Sequence, residues 1–372
     1  MRYCARCVLP DSRPNLTLDA DGVCDACRAH EARGAVDWAA RERALDALVA
    51  RTRARATGGW DCVVPVSGGK DSTWQVVTCL ERGLRPLCVT WRPPRRTPLG
   101  EANLRNLVSL GVDHVDFSVS PEVERVFTRL ALERTGTPGL PMHMALFSIP
   151  LRIAVAFRIP LVVWGENSAI EYGGAQEGDA YALDARWLAR FGVTHGTTAA
   201  DWACDELPLA ALEPYRRPDE AELAAAGVEA VFLGWFLPWD PETTHAVARA
   251  HGFRASEDGP RVGAYDYADV DDDLISVHHW FKWPKFGFTR TFDNLSLEIR
   301  NGRLERDEAI ERIRARGDET PHDDIARLCE LCGIGHDRFR EVVERFRNPA
   351  IWTRRGRTWA IDGFLVPDWR WQ

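Results

Sequence analysis

A glycine-rich loop between an apolar run and a predicted helix is the part of the sequence best suited to chemistry. It reads Ser67-Gly68-Gly69-Lys70-Asp71-Ser72. Two adjacent glycines allow the backbone N–H groups to turn inward, and the N-terminus of the helix adds a partial positive charge. The serines supply hydroxyl donors, and the lysine can neutralise phosphate. Val64 stands where a Walker loop requires glycine, so the pattern predicts a phosphate-binding loop of another class.

Two cysteine pairs near the start of the chain form a second candidate site. Cys4 and Cys7, then Cys24 and Cys27, follow the pattern C-x2-C, and 16 residues separate the pairs. This spacing is typical of a four-thiolate zinc site, whose closed coordination leaves no position for a substrate. We therefore expect a structural Zn²⁺ held by all four thiolates. An iron–sulfur cluster uses the same ligand type and stays open as an alternative.

Three further cysteines lie in the second half of the chain. Cys204 has acidic neighbours, which disfavour a thiolate. Cys329 and Cys332 form a single pair on a predicted helix, which is a weak signal for a metal or redox site. For this pair we favour packing in the core.

Short apolar runs alternate with helical patterns along much of the chain. Strands are predicted over residues 62–66, 84–91, 114–119, 161–164 and 230–235, and helices over residues 37–55, 71–82, 100–110, 121–134 and 142–157. Strands that alternate with helices are typical of an α/β fold with a doubly wound, mainly parallel sheet. The glycine-rich loop follows the first strand, where such folds bind ligands.

The same pattern divides the chain into four parts. We predict a small zinc-ribbon module at residues 1–34, a linking helix within residues 35–58 and an α/β domain at residues 59–264. Residues 265–372 are charged, aromatic and mainly helical, with helices predicted over residues 307–316 and 323–332.

Composition and charge exclude several classes of protein. Hydrophobic residues make up 45% and charged residues 27% of the 372 residues, and the formal net charge is −8. These values are typical of a soluble protein with a sizeable core. The negative net charge disfavours sequence-independent binding to nucleic acid or binding to anionic lipid. The longest apolar stretch, residues 146–165, contains two arginines and two prolines, which are costly in a membrane span. Since the first residues also lack a signal-peptide pattern, we expect a cytoplasmic protein without a membrane segment.

The glycine-rich loop resembles the Ser-Gly-Gly-x-Asp-Ser loop of the ATP pyrophosphatase, or PP-loop, superfamily. Further runs are similar to one branch of it, the N-acetyl sugar amidotransferases of bacterial surface-glycan pathways. These runs are Trp164-Gly165-Glu166-Asn167, Glu171-Tyr172-Gly173-Gly174, Phe232-Leu233-Gly234-Trp235, Asp271-Asp272-Asp273, and residues 276–283, 285–290, 298–302 and 347–352. With the cysteine pairs, the resemblance spans nearly the whole chain. It is specific for the family and uninformative about the substrate.

The resemblance implies an ATP-dependent conversion of an acetamido group on a sugar or sugar nucleotide into an acetamidino group. ATP would transfer AMP to the amide oxygen and release pyrophosphate, ammonia would attack the activated carbon, and AMP would leave. On this basis residues 59–264 bind ATP and residues 265–372 complete the acceptor site. We expect the ATP phosphates themselves to hold Mg²⁺, since this ion keeps waters and needs few protein ligands.

Candidate site residues follow from these matches and from their places in the predicted fold. The nucleotide-binding candidates are Ser67, Gly68, Gly69, Lys70, Asp71, Ser72 and Thr90. The catalytic candidates are Lys70, Asp71 and Glu166, the last as a general base toward ammonia if burial raises its pKa. The acceptor-binding candidates are Asn167, Glu171, Tyr172, Lys282, Lys285 and Arg290. The three basic side chains would grip a sugar-linked phosphate or carboxylate.

Some of these assignments have structural alternatives. Glu166 and Asn167 could instead cap a helix, and the basic residues could form a solvated face, although aromatic residues lie between them. His278 and His279 follow three aspartates and suggest a second metal. Adjacent side chains point apart on a strand, so we do not expect these histidines to share one ion.

The chain shows no means of releasing ammonia from glutamine. Arg2 stands where an N-terminal nucleophile would need cysteine, and no Gly-x-Cys-x-Gly elbow is present. The resemblance therefore implies a separate glutaminase and a cyclase-like channel subunit as partners, or direct use of ammonium. A homodimer is a further expectation, whereas a nucleic-acid partner is disfavoured.

The competing enzyme is a PP-loop sulfur transferase, which adenylates a carbonyl oxygen and then delivers sulfur to a small metabolite or to tRNA. It would need a reactive thiol at Cys204 or at the pair Cys329 and Cys332. A third possibility is a non-catalytic zinc- and nucleotide-binding scaffold, which the intact loop disfavours.

Overall fold

A computed structural model describes residues 1–167, Glu171 and residues 181–371. The strands are β1 (Cys62–Pro65), β2 (Pro86–Trp91), β3 (Asp113–Phe117), β4 (Leu161–Trp164), β5 (Glu229–Phe232), β6 (Trp352–Arg355) and β7 (Thr358–Ile361). The described helices before β5 are α1 (Asp25–Ala32), α2 (Trp38–Arg55), α3 (Lys70–Glu81), α4 (Pro98–Val108), α5 (Pro121–Thr135), α6 (Leu140–Phe157), α7 (Ala185–Phe191) and α8 (Glu220–Ala226). Those after β5 are α9 (Leu233–Phe236), α10 (Pro241–Ala250), α11 (Ile275–Trp280), α12 (Lys282–Phe286), α13 (Arg290–Arg300), α14 (Arg306–Arg316), α15 (His322–Cys332) and α16 (His336–Phe346).

Strands β1 to β5 form one parallel sheet in the order β3-β2-β1-β4-β5. β1 is central, with β2 on one side and β4 on the other. Every residue of β1 and β2 is buried, as expected for parallel strands covered on both faces. The predicted doubly wound α/β fold is therefore confirmed.

Alternate residues of the central strands face two hydrophobic layers. Val63 packs with residues of α5 and α6 on one face, whereas Cys62 and Val64 pack with residues of α2, α3 and α4 on the other. The two-residue period of a strand produces this division. Since α3 starts five residues after β1 ends, its N-terminus lies at the carboxyl edge of the sheet.

Among the described residues, α6 is the one helix long and apolar enough to be considered for a membrane span. It packs against β1, β2 and β4. Ser148 on this helix donates a hydrogen bond of 2.8 Å to the backbone carbonyl of Tyr215. These contacts are those of a core helix that covers one face of the sheet.

The cysteine module, residues 1–34, shares a hydrophobic cluster with the C-terminal region. Leu9 and Leu16 pack in one cluster with Phe288, Phe292 and others from that region. The module therefore uses part of the main body of the protein as its core. Its bounds, like the other predicted boundaries, stay a prediction.

Two expectations for local structure were wrong. The fifth strand ends at Phe232 because the backbone continues as the short helix α9. His278 and His279 lie on α11 and not on a strand. The C-terminal region also contains the antiparallel hairpin β6–β7, whose turn uses Gly356 at a φ of +64°, a conformation that favours glycine.

Candidate active site

The glycine-rich loop lies at the point where the strand order of the sheet reverses. The chain moves from β1 to β2 on one side, and β4 and β5 fill the other side. The connections after β1 and β4 therefore diverge, and in such sheets ligands bind in the crevice that opens there. Two cavities open in this crevice. Both are lined by Ser67, Asp71 and Ser72, which follow β1, and by Glu166, which follows β4.

Gly68 gives the loop its shape. Its φ is +88°, and a Cβ at this position would lie 2.5 Å from the backbone nitrogen of Leu104 in α4. Only glycine fits this conformation so close to another backbone. Ser72 Oγ donates a hydrogen bond of 3.0 Å to the carbonyl of Gly69. The loop is thus a preformed turn at the N-terminus of α3.

Lys70 and Asp71 form an ion pair at the start of α3. Lys70 Nζ lies 2.5 Å from Asp71 Oδ2. The other oxygen of Asp71 accepts hydrogen bonds from Trp239 Nε1 at 3.0 Å and Thr244 Oγ1 at 3.1 Å. Lys70 Nζ also lies 5.4 Å from the centre of the Trp239 ring, within the range of a cation–π interaction. Residues of α10 and of the segment before it therefore hold the Lys70–Asp71 ion pair in position.

Glu166 stands between the two cavities. It follows Gly165, where a Cβ would lie 2.2 Å from Gln75 Nε2 of α3, so the glycine lets β4 and α3 approach. Burial and the negative charge of Asp71 raise the pKa of Glu166 to about 7. A carboxyl group with this pKa exchanges protons near neutral pH, as a general base must.

The smaller cavity, which we call the loop cavity, has an empty volume of about 720 Å³. Gly69, Lys70 and Asp71 line one side, and the acidic segment 269–271 lines another. Burial and the charge of Asp269 raise the pKa of Asp271 to about 6. Loop N–H groups, one lysine and several carboxylate oxygens suit a phosphate chain that carries a divalent cation.

The larger cavity, which we call the large cleft, has an empty volume of about 2230 Å³. Phe147, Trp164 and Trp187 give it an aromatic wall above the sheet. Trp187 Nε1 donates a hydrogen bond of 3.1 Å to Asn167 Oδ1. Asn167, a predicted acceptor residue, therefore orients an indole that lines the cleft.

A buried carboxylate organises the basic wall of the large cleft. Asp293 Oδ2 lies 2.6 Å from Lys282 Nζ and 3.7 Å from Arg290 Nη1, and Asp293 Oδ1 lies 3.1 Å from Arg13 Nε. These cations hold the pKa of Asp293 well below its usual range, and burial lowers the pKa of Lys282 to about 8. Arg290 also approaches Asp269, at 3.7 Å. Lys282, Arg290 and Arg13 thus lie together around one buried carboxylate, and such a group of basic side chains suits an anionic ligand.

The other predicted acceptor residues lie in different surroundings. Lys285 lines the large cleft, but its Nζ donates to the backbone carbonyl of Thr135 at 3.0 Å and so caps the end of α5. Glu171 accepts a hydrogen bond of 3.0 Å from Arg33 Nη1 and belongs to neither described cavity. Tyr172 lies outside the described residues.

Thr90 supports the glycine-rich loop from beneath. Its hydroxyl donates a hydrogen bond of 2.7 Å to the carbonyl of Val66, the residue that leads into the loop. Thr90 Oγ1 also lies 2.8 Å from His114 Nε2. The structure places Thr90 behind the loop, and its contact with a nucleotide stays a prediction.

Four histidines line the large cleft, namely His143, His195, His278 and His279. His279 Nε2 lies 3.3 Å from Asp269 Oδ1, and the rings of His143 and His278 are 5.1 Å apart. Burial lowers the pKa of both His143 and His279 to about 4, so both are neutral at pH 7. Within the described part of the chain, the histidines form no group that could hold a metal ion.

The four cysteines of the module come together as predicted. Their Sγ atoms all lie within 4.8 Å of one another, with Cys4 and Cys27 at 3.9 Å and Cys7 and Cys24 at 3.7 Å. Tetrahedral zinc with Zn–S bonds near 2.3 Å implies Sγ separations of about 3.8 Å. The Arg6 and Cys24 backbone N–H groups also donate to Cys4 Sγ, at 3.4 and 3.2 Å. The donor set therefore fits one zinc ion.

Sequence reasoning missed the residues that join the parts of the site. Arg13 contacts Asp293 across 280 positions, and Trp239 contacts Asp71 across 168 positions. No local pattern marks such pairs. The acidic run over residues 269–273 was the one usable signal for the far wall of the loop cavity.

The sheet order and the loop after β1 define a doubly wound α/β protein with a Ser-Gly-Gly-Lys-Asp-Ser loop at the switch point. Residues 260–363 match the family model described as "LPS biosynthesis protein WbpG-like, C-terminal domain". NMN synthetase from Francisella tularensis is a similar solved structure, with 12% sequence identity, a TM-score of 0.33 and coverage of 82% of this chain and 96% of that chain. A search of the curated proteins finds no match.

Alanine at Gly68 tests whether the loop binds the nucleotide. We expect Gly68→Ala to weaken Mg-ATP binding by at least about tenfold, because the positive φ and the clash with α4 force the loop to move. Titration calorimetry measures the affinity. Gly111→Ala is the matched control, since Gly111 has a φ of +94° but open space around its Cβ position. Equal ATP affinities in the two variants would contradict the assignment.

Removal of the metal tests the coupling between the cysteine module and the large cleft. Arg13 and Asn15 of the module line the cleft, so we expect Cys24→Ser to lose one zinc per chain and to loosen this wall. Elemental analysis measures the zinc, and limited proteolysis should cut first within residues 1–34 while circular dichroism of the sheet persists. Cys204→Ser is the control and should keep the metal. Unchanged zinc in Cys24→Ser would refute the site.

Proposed function

We propose that the protein is an ATP-dependent amidotransferase that converts the acetamido group of an N-acetyl sugar into an acetamidino group. The observation that carries the proposal is the position of Glu166, whose carboxyl group has a pKa near 7 and lines both the loop cavity and the large cleft. The match of residues 260–363 to a WbpG-like LPS biosynthesis model supports a sugar of surface-glycan synthesis as the acceptor.

In the first half of the reaction, the loop cavity takes the triphosphate of ATP. Loop N–H groups and Lys70 stabilise the charge that develops on the leaving pyrophosphate. Mg²⁺ bound to the phosphates would meet carboxylate oxygens of Asp71 and Asp271, and it would neutralise phosphate charge. The amide oxygen attacks the α-phosphorus, the bond to pyrophosphate breaks, and the amide proton passes to solvent, which leaves a neutral O-adenylated imidate.

In the second half, ammonia attacks the activated carbon and Glu166 removes a proton from the new ammonium group. The C–O bond to AMP then breaks, which leaves the amidine. A base with a pKa near the working pH is partly ionised and still accepts a proton readily. Ammonia would come from a separate glutaminase with a cyclase-like subunit, or from free ammonium.

The large cleft has groups that could bind both the sugar ring and the charged group of an acceptor. Phe147, Trp164 and Trp187 offer aromatic faces on which a sugar ring can pack. The cations around Asp293 offer an anion site for a phosphate or carboxylate attached to that sugar.

The cysteines give little support to sulfur transfer. None of the described cysteines lines the loop cavity or the large cleft. Cys329 and Cys332 are buried in an apolar cluster, and burial raises the pKa of Cys332 to about 12, which leaves it as an unreactive thiol. The structure therefore favours ammonia over sulfur as the nucleophile.

Product analysis tests the proposed reaction. Purified protein would be incubated with Mg-ATP, ammonium chloride and a panel of N-acetyl sugars and their nucleotide conjugates. We expect AMP and pyrophosphate in equal amounts and a product about one mass unit lighter than its acceptor, since an NH group replaces an oxygen. A product about sixteen units heavier, formed only with sulfide, would replace this proposal with sulfur transfer.

The pH profile tests the role of Glu166. At a constant concentration of unprotonated ammonia, we expect kcat/KM to fall as the pH drops below about 7, because the base becomes protonated. Glu166→Gln should remove this limb and lower the rate by about 100-fold or more. Glu124→Gln is the matched control, since burial also raises the pKa of Glu124 to about 7 but this residue lies in neither cavity. An acid limb that survives Glu166→Gln would exclude this base.

A further inference from the structure

A groove lined by tryptophans lies in the C-terminal region, outside the proposed reaction site. We call it the tryptophan groove, and its empty volume, which includes space open to solvent, is about 750 Å³. Its six indoles are those of Trp280, Trp283, Trp352, Trp359, Trp369 and Trp371. All except Trp352 are partly exposed. Aromatic faces left partly open in a concave site are suited to stacking on a ligand.

A buried hydroxyl group in this groove has no partner among the described residues. Thr289 lines the groove, is 7% exposed, and its Oγ1 makes no hydrogen bond within the described chain. Thr289 precedes α13 as its N-cap residue, yet its side chain does not cap the helix, although threonine usually does so here. An unpaired buried hydroxyl is costly, and a ligand hydroxyl in the groove would satisfy it.

The charges of the groove favour an uncharged ligand. Asp318 and Glu319 contribute two negative charges, and Arg347 and Arg370 contribute two positive charges, so neither sign prevails. Carboxylates accept hydrogen bonds and guanidinium groups donate them. Because sugar hydroxyls do both, and one face of a sugar ring is apolar, this lining fits a neutral saccharide better than an ion.

The groove and the large cleft lie on opposite sides of the segment that contains α11 and α12. Phe281, Lys282 and Arg290 line the cleft, whereas Trp283 and Thr289 line the groove. No described residue lines both. A ligand in the groove would therefore leave the proposed reaction site open.

From the partly exposed indoles, the Thr289 hydroxyl that has no partner among the described residues, and the balanced charges, we propose that the tryptophan groove is a second binding site that takes a neutral saccharide. The site does not depend on the proposed reaction.

Ligand-observed NMR and titration calorimetry test this site without ATP. The probes are maltotriose and cellotriose, which are neutral saccharides without an acetamido group, and two charged probes, choline and glucose 6-phosphate. Glucose 6-phosphate is measured on Lys282→Ala, in which the anion site of the large cleft is weakened. We expect the neutral saccharides to bind more tightly than the charged probes. Trp371→Ala should weaken saccharide binding by about tenfold, and Thr289→Val, which keeps the shape of the site, by about fivefold.

Two controls locate the binding. Trp60→Ala removes a partly exposed indole that packs on Phe157, far from the groove in the fold, and should leave saccharide affinity unchanged. Lys282→Ala alters the large cleft and should also leave it unchanged. Affinity lost in Lys282→Ala but kept in Thr289→Val and Trp371→Ala would assign the saccharide to the cleft and overturn the proposal. Absence of saccharide binding, or tighter binding of a charged probe, would also overturn it, whereas the pyrophosphate assay judges the proposed reaction separately.

Discussion

The pairing of β1 with a parallel strand on each side is the constraint on which the rest of the site depends. β1 forms hydrogen bonds with β2 and β4 and is buried along its whole length. Close packing therefore fixes the position of its carboxyl end. The glycine-rich loop starts there, and Glu166 starts at the equivalent end of β4. Their separation is therefore set by the spacing of hydrogen-bonded strands, which is about 5 Å between neighbours. Rigid strands place the phosphate loop and the candidate base side by side, which loops alone could not do.

Carboxylates pair with cations of the site before any ligand binds. Asp71 holds Lys70, and Asp293 holds Lys282 and Arg13. An unpaired charge in these positions would strongly destabilise the fold, because the charge would lose its hydration without gaining a partner of opposite sign. Asp293 has a second effect, because Arg13 belongs to the cysteine module. The same carboxylate therefore joins the metal-binding module to the basic wall of the large cleft.

The sequence predicted those parts of the structure that depend on residues close together in the chain. Residues 62–66 form a short apolar run before glycines, and this is sufficient to predict β1 and the loop. The cysteine spacing likewise predicted the cluster. By contrast, the hairpin β6–β7 lies in a stretch rich in arginine and tryptophan, where no clean alternation marks strands. The partners of Asp71 and Asp293 could not be predicted either, since each contact depends on how distant elements pack.

The electrostatics of the loop cavity also favour an order for the proposed reaction. At rest, the charge of Asp71 helps to raise the pKa of Glu166. A bound triphosphate adds negative charge and draws Lys70 toward the phosphates, so the carboxyl group holds its proton more tightly while ATP is intact. Departure of pyrophosphate reverses this, and Glu166 ionises more readily once the amide oxygen carries AMP. The candidate base thus becomes able to accept a proton from ammonia after adenylation and not before. Because Glu166 lines both cavities, the state of the nucleotide in the first would control proton transfer in the second.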